Sequence, residues 1–151
     1  MINFNLQSWQ EEMSGLTFEF ALPTFKDECR SKTSKYLAES AFSFIEGVFF
    51  YHLPNYQNFG HWGTTEVSKQ HWSHIRLVLQ KLNNKLEQAE YFHQLKTVLY
   101  DFQFIFDEDW RQDMVIKFAE YKVNLSQMIS QIIEWFDENI QKYNTVFIKG
   151  I

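Results

Sequence analysis

The chain has 151 residues, a hydrophobic content of 45% and an aromatic share of 19% that includes 16 Phe. A chain of this length fits one folded unit able to bury roughly 70% of its extended surface, and so many rings exclude a disordered polymer. With 19 acids against 14 bases the net charge is −5, a balance that opposes nucleic acid and anionic membranes and favours a basic protein partner.

The opening stretch MINFNLQSWQEEM lacks a basic segment followed by an apolar one, so no secretory signal is visible. Residues 16–22, LTFEFAL, alternate in polarity and place Leu16, Phe18 and Phe20 on one side. No second strand signal of equal strength accompanies them. They read as an extended strap laid over helices, or as a small hairpin with residues 2–6.

Thr24 is a candidate N-cap with Asp27 positioned to complete a capping box. From there Cys29, Thr33, Tyr36, Leu37, Ala41, Phe44, Val48 and Tyr51 keep three- and four-residue spacing. That spacing predicts a helix over about 25–52, stopped by the LPN at 53–55. Phe42, Phe44, Ile45, Phe49 and Phe50 wrap most of its circumference, the pattern of a central helix. The same stretch, 41–53, is too short and too interrupted to span a membrane.

Residues 54–64 form a loop carrying Tyr56, Phe59 and Trp62. Thr64 or Thr65 is then placed to cap a helix whose apolar stripe runs Val67, Trp72, Ile75, Leu79 and Leu82. Asn83–Asn84 marks either a turn or a bend, because Leu86 and Ala89 continue the stripe beyond it. A further helix is expected to carry Tyr91, Phe92, Leu95, Val98, Leu99, Phe102, Ile105 and Phe106. Over residues 110–143 the apolar rhythm is unbroken, which gives a rod of roughly 50 Å that should kink or project toward a partner. The tail TVFIKGI reads as a second strap.

Together these elements predict an all-α fold: an antiparallel bundle of four to five helices with an extended or short-strand N-terminal strap, in a single helical domain over 1–151. Cys29 is the only cysteine, which rules out an internal disulfide and a thiolate metal cluster and points to a reducing, cytoplasmic setting.

Catalytic patterns are thin. There is no G-x-x-x-x-G-K-[ST], G-x-G-x-x-G or G-x-S-x-G stretch. Arg30, Arg76 and Arg111 have no histidine five residues on, so the arginine–histidine spacing of helical ribonucleases is missing. The balance is acidic and the helices are long, which disfavours sequence-specific DNA reading. Glu90 and His93 form one E-x-x-H, and His71 and His74 form an H-x-x-H. A metal-binding helical-bundle enzyme centred on His71, His74, Glu90 and His93 is therefore the alternative reading.

The leading reading rests on the acids around residue 110. Asp109 is placed to cap the last helix, and Asp113 favours its positive end. Asp107 and Glu108 remain as extra charge, and Glu134, Asp137 and Glu138 form a second acidic group beside Trp135. A partner-binding face of Asp107, Glu108, Asp109, Trp110, Asp113 and Trp135 would steer and anchor a basic protein. The expected function is thus a non-enzymatic helical binder without cofactor, most concretely an immunity- or antitoxin-type inhibitor of a basic toxin or nuclease, as small acidic bacterial proteins often are. No nucleic-acid or membrane partner is expected, and a homodimer through the long final helix is a third reading.

Overall fold

The β-branched and aromatic alternation that the sequence carries in four short places assembles into one sheet. The computed structural model describes residues 2–10, 13, 15–25, 27, 31–56, 62–95 and 108–150, with the side chains of 108–111 outside that description. Strands β1 (Thr17–Ala21), β2 (Lys35–Ala38), β3 (Thr64–Ser68) and β4 (Thr145–Gly150) lie in the order β2-β1-β4-β3, and every pairing is antiparallel. The all-α expectation is therefore wrong: this is an α/β fold with a four-stranded antiparallel sheet packed against helices. The strap expected at residues 16–22 is strand β1; the extended segment 2–9, here called the N-terminal strap, meets β2 through the Gln7–Tyr36 bridge, the Ser8–Lys35 hydrogen bond and the Trp9–Tyr36 ring contact.

Each misread strand has a physical reason. The partners of LTFEFAL sit far along the chain, Phe18 against Leu37 on one side and against Gly150 on the other. KYLA falls in step with the three- and four-residue rhythm of the next helix, so the rhythm could be extended backward through it. The expected helix over 25–52 instead begins at Glu39 and forms α1 (Glu39–His52). The helix predicted to start at Thr64 or Thr65 starts after Ser68, whose side chain accepts the backbone N–H of His71 at 3.2 Å. TVFIKG is the central strand β4, its buried Val146 and Ile148 two residues apart as one face of a strand requires.

Helix α1 is buried nearly all round, as the wrap of Phe residues requires. Helix α2 (Lys69–Gln88) runs unbroken through Asn83 and Asn84 and buries Trp72, Ile75, Leu79, Leu82 and Leu86. The long rod is divided. Helix α3 (Glu108–Ile116) ends at Lys117, whose φ of −109° and ψ of 29° interrupt the helix before α4 (Phe118–Tyr143) begins. The helix expected from residue 91 onward gives a 3-10 turn at Phe92–Leu95, and its remainder, 96–107, lies outside the described residues.

Phe18 and Phe20 of β1 face the helix layer. Phe18 lies 4.2 Å from the ring of Phe42 on α1, and Phe20 lies 5.5 Å from Phe136 and 6.0 Å from Trp135 on α4. Trp72 of α2 stacks on Phe136 at 4.4 Å. Asp137 clamps the two helices together, accepting the Trp72 indole at 2.7 Å and the Arg76 guanidinium at 2.9 Å. At the end of α4, Asn144 adopts a left-handed conformation (φ 62°) and its N–H bonds the carbonyl of Ile140, turning the chain directly into β4.

Candidate functional site

Two charged groups distinguish this molecule, one beneath the sheet and one open to solvent. The first follows from strand register. Thr64, Lys149, Glu19 and Tyr36 are consecutive cross-strand partners, so their side chains form one row on the face of the sheet opposite Phe18 and Phe20. Glu19 is fully buried. It accepts the Ser34 hydroxyl at 2.6 Å on Oε1, and its Oε2 lies 3.1 Å from the Lys149 ammonium in an ion pair. The Tyr36 hydroxyl donates to the carbonyl of Ser31 at 3.0 Å, tying the 31–34 segment over the same row. Two buried unlike charges on neighbouring strands identify one register, because any slip leaves an uncompensated ion inside.

The second group lines a cleft of about 250 Å³, open along one side, between the N-terminal strap and α4. Its walls are Leu6 from the strap, Lys35 at the start of β2, and Gln131, Glu134, Trp135 and Glu138 on successive turns of α4. The three- and four-residue spacing of those α4 positions puts them on one side of the helix. Leu6 is held there by its N–H, which bonds the Gln131 side-chain oxygen at 3.2 Å, and the Lys35 ammonium donates to the Ser8 hydroxyl at 2.9 Å. Glu138 pairs with Lys142 at 2.7 Å, and this hydrogen bond holds its carboxyl below the usual range while raising the Lys142 ammonium. Neither Glu134 nor Lys35 has an ion-pair partner among the described residues.

Of the sequence-predicted face, Trp135 borders this cleft. Its ring is 8% exposed and packs on Phe20 and Phe136, so most of it belongs to the core. Asp113 is on the other side of the break at Lys117, accepting the Tyr121 hydroxyl at 2.7 Å and pairing with Lys117 at 3.2 Å. The Tyr121 bond, then Lys117, hold the Asp113 carboxyl low; burial, then Asp113, push Tyr121 up to about 12. Glu108, Asp109 and Trp110 lie in the first turn of α3, so Asp109 is inside the helix and not at its cap. Asp107 lies outside the described residues.

The alternative metal cluster does not form. His71 and His74 sit in the first turns of α2, whereas Glu90 and His93 lie beyond its last residue, Gln88. A helix rising about 1.5 Å per residue carries the chain roughly 21 Å from His74 to Gln88 before Glu90 and His93 are reached. Among the described residues no three metal-ligating side chains converge. The helical immunity-type inhibitor falls with the helical bundle on which it was built, since the chain carries a sheet through its core.

Leu6, Lys35 and Gln131 were not legible as site residues, because each joins the cleft only through tertiary packing. The buried pair left a clearer trace: one acid in the apolar run FEF and one base in FIK. A single opposite charge in each of two apolar strands is a cross-strand pairing signal. Among the described residues no helix is long and apolar enough to cross a membrane. No family model, curated protein or solved structure matches the chain.

Proposed function

We propose that this chain is a non-catalytic binding domain whose cleft between the strap and α4 receives a basic group presented by a protein partner. The observation that carries this reading is the make-up of the cleft: two carboxylates, Glu134 and Glu138, beside the Trp135 indole and the Gln131 amide. An ammonium or guanidinium gains from both carboxylates and from the face of a neighbouring ring system. Glu134, with no ion pair to break among the described residues, is the group ready to receive it. The net charge of −5 adds long-range attraction for a basic surface. The lone Cys29 fits a reducing compartment, and we assign the domain to the cytoplasm.

The test is fluorescence anisotropy with a labelled oligoarginine peptide, at low and at high salt. Binding should weaken with salt and be lost in the double charge reversal Glu134→Lys/Glu138→Lys, while the far-ultraviolet circular dichroism stays unchanged. Equal binding by the charge-reversed protein would remove the cleft from consideration.

A further inference from the structure

The cleft is not uniformly acidic. Lys35 lines it together with Glu134 and Glu138, yet it bonds Ser8 and forms no ion pair among the described residues. Unlike charges that share so small a space and do not close on each other leave both valences directed at whatever enters. The Ser8 bond uses one of the three ammonium donors and holds the Lys35 side chain on the strap side, opposite α4. Glu138 is likewise drawn toward Lys142, along α4. The cleft therefore has a positive wall and a negative wall with an indole between them.

Its volume decides the size of the occupant. At about 250 Å³ it falls below the roughly 300–1,000 Å³ of pockets that take drug-sized ligands, and it accommodates a single large residue. A single residue that answers both walls carries a basic group and a carboxylate together. In a protein, a basic side chain and a carboxylate occur on one residue at the C-terminus.

Resting on the reading of the cleft as a cation site, we propose that its occupant is the C-terminal arginine or lysine of a partner protein. The basic side chain meets Glu134 and Glu138 against Trp135, and the free α-carboxylate meets Lys35. The strap is part of the recognition surface, because Ser8 orients Lys35 and the Gln131–Leu6 bond closes the wall. Capture of a terminal carboxylate by a positioned donor is an established mode of peptide recognition.

The experiment is isothermal titration of the full chain with a short peptide ending in arginine, with the same peptide amidated at its C-terminus, and with free arginine. The free-acid peptide should bind about five-fold tighter than the amide, the size of one exposed ion pair. Lys35→Met should erase that difference, whereas Glu134→Gln should weaken both peptides alike. Free arginine should bind no better than the free-acid peptide; if it binds tighter than either peptide, the occupant is the free amino acid and the protein-terminus assignment falls. Equal binding of acid and amide, with the Glu134 dependence intact, overturns the role of Lys35 while the cation site stands. No binding by any of the three overturns both readings.

Discussion

Glu19 with Lys149, and Glu134 with Lys35, are the same two residue types placed in opposite circumstances. The first pair is enclosed beneath the sheet, Glu19 wholly and the Lys149 side chain to all but 11%, at 3.1 Å separation, with the Ser34 hydroxyl bonding the carboxylate's other oxygen. The second shares a cleft without forming a bond. A buried charge cannot be left alone, since the effective cost of taking each ion out of water is several kcal/mol. It must be paired, and it then acts on the fold by selecting one strand register. A charge at the wall of an open cleft keeps its water, contributes little to stability, and is free to exchange that water for a ligand.

Removing one partner of each pair should separate the two behaviours most sharply. Lys149→Met is expected to cost about 3–5 kcal/mol by leaving Glu19 buried and uncompensated, whereas Lys35→Met should stay within about 0.5 kcal/mol. Urea unfolding of the two variants reads both numbers, and equal losses would erase the distinction between the groups. Replacing both members of the buried pair, Glu19→Gln with Lys149→Met, should recover most of the loss. A double variant no better than the single one would mean that the surrounding bonds, and not the ion pair, set the register.

Smaller effects sharpen the comparison from its flanks. Asn144 holds a left-handed conformation at the entry to the strand that carries Lys149. Asn144→Ala should cost about 1 kcal/mol, and Asn144→Gly should be neutral or slightly stabilising, by thermal unfolding. The pH response gives the finest reading. Tyr121 is pushed up to about 12 by burial and by its bond to Asp113, so the folded state holds its proton where the unfolded chain has lost it. Its contribution is complete below the ordinary tyrosine value of about 10 and is lost as pH rises toward about 12. An ultraviolet titration of Tyr121→Phe against the natural protein should lack one late-ionising phenol. Asp113 and Glu138, held low by their hydrogen bonds, contribute in the opposite direction: their effect is present above the unfolded carboxylate range and fades as pH falls through the folded values. Carboxyl-selective NMR should find both below that range.

The helices were more legible than the sheet, and the reason is physical. Helical periodicity is local, so the stripe from Trp72 to Leu86 and the one from Phe118 to Ile140 can be read from the residues that form them. A strand declares itself only with its partners. Thr17–Ala21 showed alternation, but the four residues of β2 fall in step with a helical rhythm, and β3 and β4 pair with each other across the whole of the helices between them. Glu134 and Glu138 could be seen as acids beside Trp135. That Lys35 stands across from them could not, because the strap and β2 meet α4 only in the folded chain.

The place of β4 between β1 and β3 bears on how the molecule is made, as well as on what it is. Phe18 pairs with Gly150 and Thr65 with Ile148, so the central strand joins partners that lie far back along the chain on both of its sides. Loops of that length are closed at an entropic cost that is recovered only when the last pairing forms. Assembly should therefore run slower than the microsecond-to-millisecond scale of helical bundles. During that interval β1 and β3 present unpaired edges, and the slot between them is the stage at which a strand from another molecule competes with the chain's own.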